Sequence, residues 1–266
     1  MSVAVERALP TTIHHRELVM GTVVTFDVYR AAGISPSAFL PHLARAVDAL
    51  HRADKVFSTW KAESPVSQLR RGEITLGEAP GEVLEVLTLC RRARDLSGGW
   101  FDPWAIPGGV DPTGYVKGWA AQRALEDLVD AQLDGAMVNA AGDIASFGGV
   151  SGVQAFHVGI VDPDQPTVLA CAVELRGAIA TSGAYERGEH LVNPRHGEVD
   201  TSVASASVTG PDLGLADALA TALAVGGDEV LTLLKDVEGY EGFTIGHDGA
   251  WKWTNGFPFV HAPASN

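Results

Sequence analysis

Asp217 and Thr221 stand four residues apart in LADALATALAVGG (Leu215–Gly227), an apolar stretch that reads as a helix. That spacing stacks them on one helical face, so a carboxylate and a hydroxyl point at the same place, a partial shell of hard donors for a divalent cation. The same pair also has a structural reading, with the carboxylate favoured near a helix N-terminus and the threonine filling space. The pair alone does not separate the two.

Three other segments offer chemistry. In VDPTGYVKGWAAQRALEDL (Val110–Leu128), Asp111, a turn at Pro112–Gly114 and Lys117 precede or enter a helix. Glycine allows close backbone approach, helix N-terminal amides favour phosphate, and Lys117 brings positive charge; a plain helix start with a solvated lysine would look the same. GGWFDPWAIPGG (Gly98–Gly109) sets Trp100, Phe101 and Trp104 around Asp102 on a loop rich in glycine and proline. Such rings can sandwich a planar ligand or plug the core. AIATSGAYERGEHLVNPRHGEV (Ala178–Val199) places Thr181, Ser182, Tyr185, Arg187, His190, Asn193, Arg195 and His196 at turn positions, with His190 a general base or a structural histidine. NAAGDIASFGG (Asn139–Gly149) reads as a glycine turn between strands, with Asn139 and Asp143 free to bond it.

The elements that must position these residues are of mixed type. Glu17–Tyr29 reads as a strand containing Gly21, and Ser37–Val56, Gly81–Ser97 and Val116–Leu128 as helices, the last with Ala120, Ala124, Leu125 and Leu128 on its apolar face. Between Ala136 and Val173 short apolar runs alternate with turns, as antiparallel strands do. A strand at Ser202–Val208, helices at Leu215–Val225 and Asp228–Leu234, and strands near Phe243–Ile245 and Trp251–Trp253 follow. There is no regular βα alternation, so the expected class is α+β: one compact unit of two lobes, with a mainly antiparallel sheet packed against helices. Residues 1–16 read as a flexible leader, which sets His14 and His15 aside as ligands, and 17–266 as the domain.

The chain has 266 residues, 46% of them hydrophobic and 20% charged, ordinary for a globular fold. Its formal charge of −14 argues against a surface that tracks nucleic-acid phosphates, and an anionic ligand would need local cations, a helix N-terminus or a metal. Two cysteines, Cys90 and Cys171, give no disulfide framework and read as buried thiols. No apolar run reaches the length of a membrane span, and the N-terminus has neither a signal-peptide core nor a lipidation cysteine; the expected location is cytoplasmic.

Taken in order, MGT (Met20–Thr22), FSTWKAESPVSQL (Phe57–Leu69), GGWFDP (Gly98–Pro103), VDPTGYVKGWAAQ (Val110–Gln122), NAAGDI (Asn139–Ile144), ATSGAYER (Ala180–Arg187), HLVNPRHG (His190–Gly197) and ADALATAL (Ala216–Leu223) resemble the ApbE family of FAD:protein FMN transferases. The resemblance implies FAD contacts at Met20, Trp60, Trp100, Phe101, Asp102, Asp111, Lys117 and Val192. It implies Mg²⁺ ligation by the side chains of Asp217 and Thr221 and the backbone oxygens of Gly114 and Ala220. It gives His190 the role of assisting proton removal from a Thr or Ser hydroxyl of an acceptor protein, with AMP leaving. An FAD diphosphatase yielding FMN and AMP, or a non-catalytic FAD carrier, would use the same site. Three features depart from the family pattern: only Trp104–Gly109 separate the FDP-like and VD-like motifs, VDPTG stands for VDLGG, and AGD stands for GGD.

Overall fold

The fold is seen in a computed structural model that describes residues 11–30, 35–150, 155–183 and 191–261. Strands β1 (Thr11–Val19) and β2 (Thr22–Arg30) form an antiparallel hairpin where the sequence suggests one strand and a leader. Met20 and Gly21 both take positive φ, 54° and 70°, the conformation a two-residue hairpin turn needs, so the chain reverses there. Residues 11–16 therefore belong to β1 and not to a leader. Their strand character is hidden because polar pairs help to hold it: His14 Nδ1 lies 2.5 Å from Asp27 Oδ1 on β2, and Glu17 accepts from His51 Nε2 at 2.7 Å. In β2 the apolar alternation is plain, with Val24, Phe26 and Val28 buried.

The remaining strands are β3 (Gly135–Ala140), β4 (Asp143–Gly148), β5 (Phe156–Val161), β6 (Leu169–Leu175), β7 (Ala178–Ser182), β8 (Ser205–Gly210), β9 (Glu241–Ile245) and β10 (Trp251–Trp253). Eight form one antiparallel sheet in the order β1-β2-β3-β4-β7-β8-β9-β10, while β5 and β6 leave it as a separate two-stranded ribbon. Thr181 and Ser182, read from sequence as turn residues, lie in β7 and face neighbouring strands.

Helices α1 (Pro36–Phe57), α2 (Pro65–Arg70), α3 (Gly81–Leu96), α4 (Thr113–Val129), α5 (Leu213–Gly226) and α6 (Asp228–Leu233) complete the described fold. α3 stops where expected, as Gly98 and Gly99 turn to positive φ and Gly99 N–H closes on the Arg94 carbonyl at 2.8 Å. α2 is too short for a periodic signal; Ser64 caps it, its Oγ accepting from Ser67 N–H at 3.0 Å. α4 starts three residues earlier than the apolar periodicity indicates, at Thr113.

The helices cover one face of the sheet, burying Val24, Phe26, Leu50, Phe57, Ala120, Ala124, Leu128, Leu219 and Leu223 in one core. On the opposite face the ribbon residues Phe156, Val158, Val173 and Leu175 join Ile179, Phe243, Ile245 and Phe257 in a second core. This is the expected α+β architecture. α5 packs against both α4 and strands β7 and β8 and is buried almost all round, which explains its unbroken apolar composition. No helix among the described residues is long and apolar enough to cross a membrane.

Candidate active site

The close approach of α4 and α5 creates the site. A Cβ added to Gly118 would lie 2.4 Å from the Leu213 carbonyl oxygen and 3.0 Å from Asp217 Cβ, so only glycine lets the two backbones meet. At this crossing Gly118 N–H donates to Asp217 Oδ2 at 3.1 Å, and Lys117 Nζ lies 3.6 Å from the same oxygen. Asp217 is only 3% exposed, a carboxylate set into an otherwise apolar helix. One turn on, Thr221 Oγ1 lies 3.4 Å from Ser182 Oγ on β7, and a Cβ on Gly114 would come within 3.9 Å of the same hydroxyl.

A cleft of about 200 Å³ opens over this point, lined by Trp100, Phe101, Asp102, Asp111, Gly114, Lys117, Val192, Asp217 and Thr221, all of them singled out by sequence. Met20 and Trp60 line an adjoining, wider cleft of about 1050 Å³, with Asp111, Thr113 and Lys117 shared between the two. Trp60 is 96% exposed and makes a rim, not a wall. Ala220 is buried on α5 beside Thr221, and its side chain does not reach the cleft. His190 lies outside the described residues, as do Tyr185 and Arg187.

The short connection between Pro103 and Val110 forms a closed wall. Asp111 N–H donates to the Pro103 carbonyl at 2.9 Å, tying the loop ends together, and Ile106 faces the cleft. Arg70 of α2 reaches the loop from outside, donating to the carbonyls of Pro107 and Val110, each at 3.3 Å, and pairing with Asp111 at 3.1 Å. Asp111 Oδ1 meanwhile accepts from Thr113 N–H and Oγ1, at 3.0 and 2.6 Å, fixing the start of α4. Asp102 is held in the same manner, by Arg94 Nε at 2.7 Å and Trp104 N–H at 2.9 Å. The helix α2 that carries Arg70 has no periodic signal of its own.

Asp143 is a functional candidate that the sequence offered only as a turn residue. It is fully buried at the start of β4, accepts from Thr181 N–H at 3.0 Å, and forms an ion pair with Lys117. Lys117 therefore serves two carboxylates, Asp143 and Asp217. Among the described residues, the carboxylates in and behind the cleft are Asp102, Asp111, Asp143 and Asp217, and the basic side chains paired with them are Arg94, Arg70 and Lys117. Of the four, Asp217 lines the cleft with Gly114 and stands one turn from Thr221.

That arrangement fits a hard cation. One protein carboxylate, a hydroxyl and nearby backbone oxygens leave coordination positions for water and ligand oxygens, which is how Mg²⁺ is commonly held. No group of three or more His, Cys, Asp or Glu side chains with metal-holding geometry occurs among the described residues. The first turn of the seventeen-residue helix α4 also faces the cleft through Thr113, Gly114 and Lys117, adding the helix dipole's favourable end for phosphate.

Comparison with known proteins bears on the family and the fold. A FAD:protein FMN transferase of Rhodobacter capsulatus is 37% identical over 130 residues, 45% of this chain but only 24% of that protein, so the chain matches about a quarter of the relative's length. In fold, the ApbE protein of Thermotoga maritima superimposes with a TM-score of 0.80 at 21% identity, over 92% of this chain and 97% of that one. The flavin transferase ApbE of Vibrio cholerae gives 0.77 at 20% identity over the same shares. The ApbE family pattern itself matches residues 20–108 and 105–243, the two stretches meeting inside the short Trp104–Gly109 wall. With the pattern extending over most of the chain and the fold shared along nearly all of it, this protein belongs to the ApbE family.

Proposed function

We propose that the chain transfers FMN from FAD to a Thr or Ser hydroxyl of an acceptor protein, releasing AMP, with Mg²⁺ bound between Asp217, Thr221 and the backbone oxygens of Gly114 and Ala220. The observation that carries this reading is the set of carboxylates, Asp102, Asp111 and Asp217, in a cleft with an aromatic wall: an anionic dinucleotide enters such a cleft only with a cation. When bound, Mg²⁺ neutralises pyrophosphate charge and stabilises AMP as leaving group.

The protein's own residues position the reactants. Lys117 and the first turn of α4 face the phosphates, Trp100, Phe101 and Val192 offer apolar surface to the ring system, and Met20 and Trp60 line the adjoining cleft that receives the rest of the dinucleotide. The acceptor oxygen attacks the phosphorus on the FMN side, the bond from that phosphorus to the oxygen of AMP breaks, and the hydroxyl proton passes to His190. Most of the acceleration comes from alignment and fixed charge, as in phosphoryl transfer generally.

The test combines the purified protein with FAD, Mg²⁺ and candidate acceptors bearing an exposed Thr or Ser. AMP release together with a flavin-sized mass increase on the acceptor is the expected result. AMP with free FMN would identify a diphosphatase, and FAD binding without AMP a carrier. Asp217→Ala should abolish Mg²⁺-dependent turnover; full activity with unchanged Mg²⁺ dependence in that variant refutes the assignment.

A further inference from the structure

Arg195 lies outside the lining of the cleft, yet its guanidinium carbon sits 3.7 Å from the ring centroid of Trp100, which does line it. Its other contact is an ion pair with Glu229 of α6, Arg195 Nη2 to Oε1 at 2.6 Å. The Trp100 indole Nε1 is buried without a hydrogen-bond partner of good geometry, but it lies near enough to Glu229 to act on it: Arg195 first, and the indole N–H after it, hold the Glu229 carboxyl below its usual range. Gly226, just before α6, packs against the same indole, where a Cβ would lie 2.6 Å from Cδ2. Trp100 is thus gripped by three partners and left 9% exposed. Arg195 also belongs to the segment that brings Leu191 and Val192 to the cleft, and Asn193 Oδ1 accepts from its backbone N–H at 3.0 Å.

We propose that Arg195 is a positioning residue: stacked on Trp100 and anchored by Glu229, it fixes the indole and the Leu191–Val192 edge as a preformed wall for the flavin ring. The inference rests on the reading that this cleft takes FAD. A planar cation over an indole face is attracted by the ring quadrupole, and the guanidinium can meet Glu229 without leaving the ring. The ammonium of a lysine keeps the charge but not the planar stack. Because the wall touches the ring system and not the phosphates, loosening it should weaken ligands in proportion to their flavin content and spare the chemical step.

The experiment measures Arg195→Gln, Arg195→Lys and Glu229→Gln in the full chain, with far-UV circular dichroism to confirm the fold. Near-UV circular dichroism and tryptophan fluorescence without ligand report the indole, and Trp100→Phe identifies its share of the signal. Arg195→Gln should change the Trp100 component, raise the Kd for FAD by about 3- to 10-fold, leave the Kd for ADP unchanged, and leave kcat within about twofold. Arg195→Lys and Glu229→Gln should fall between that variant and the wild type. An unchanged Trp100 signal overturns the proposal, as does equal weakening of FAD and ADP. If the wild-type protein binds no FAD but Arg195→Gln still alters the Trp100 signal, the clasp stands and the proposed function fails.

Discussion

Gly118→Ala tests the close approach of α4 and α5. The added Cβ would sit 2.4 Å from the Leu213 carbonyl oxygen and 2.9 Å from its carbon, about 1 Å short of ordinary contact, and these are backbone atoms that cannot rotate aside. α4 and α5 must therefore separate, at a typical overpacking cost of about 1–3 kcal/mol, offset by about 1 kcal/mol of better helix propensity. The expected net loss is about 0–2 kcal/mol, which for a chain of this size lowers Tm by up to roughly 8 °C. The same movement draws Asp217 and Thr221 away from Lys117 and Gly114, and a displacement near 1 Å can cost about a hundredfold in rate. Gly81→Ala is the control: at the first position of α3 a Cβ meets nothing within 4 Å, so it should be neutral or slightly stabilising. Thermal melts and AMP release would be measured on both. Gly118→Ala melting at or above wild type with full turnover would refute the claim that this glycine sets the site.

The buried Lys117–Asp143 pair should show strong coupling. Asp143→Ala leaves a lysine without its main partner and should destabilise by about 3–5 kcal/mol, while a double-mutant cycle with Lys117→Met should return a coupling of at least about 1 kcal/mol in chemical denaturation. Alkaline pH should unfold the protein early. Burial raises the Cys90 thiol to about 12 and Cys171 to about 11, and burial likewise raises the hydroxyls of Tyr115 and Tyr240. The unfolded chain loses these protons first, so their contribution is complete below about pH 9 and is lost as pH climbs toward the folded values; Tm should fall steadily from pH 9 to 11. For the same reason the buried Cys90 should not react with a disulfide reagent at pH 8 until denaturant is added, and the half-buried Cys171 should react more slowly than a free thiol.

Legibility in the sequence followed the physical strength of each local signal. α1, α3 and α5 were readable because their apolar spacing or glycine stops act within a few residues, and the ends of α1 and α3 fall within one residue of expectation. The β1–β2 hairpin was not: a methionine in a left-handed turn carries no turn signature, and β1 is held in part by His14–Asp27 and Glu17–His51, pairs that reach across 13 and 34 residues of sequence. That Asp111, Lys117, Asp217 and Thr221 share one cleft was legible, since Lys117, Asp217 and Thr221 sit on two helices with clear patterns and Asp111 stands just before one of them. Asp143 was not legible as a partner of Lys117, because its chemistry depends on burial, and its place after a glycine turn looks the same whether the carboxylate faces water or a lysine. Arg195 was hidden for the same reason: nothing near it in sequence announces Trp100 or Glu229.

A protein with net charge −14 cannot rely on its overall field to draw in an anionic ligand. Its cleft adds four carboxylates in and behind its wall, Asp102, Asp111, Asp143 and Asp217. Buried carboxylates are a liability in an apolar setting, where breaking an ion pair costs several kcal/mol. They become useful if a cation arrives with the ligand. Asp217 is placed for this, its Oδ2 already taking the Gly118 N–H and lying near Lys117, with the Thr221 hydroxyl one turn away. On the proposed function, a site with a single protein carboxylate would hold Mg²⁺ weakly by itself, so cation and dinucleotide should each raise the affinity of the other by the same factor. On the proposed function, the carboxylates that would repel a bare anion should make the cleft selective for an anion carried in with its metal.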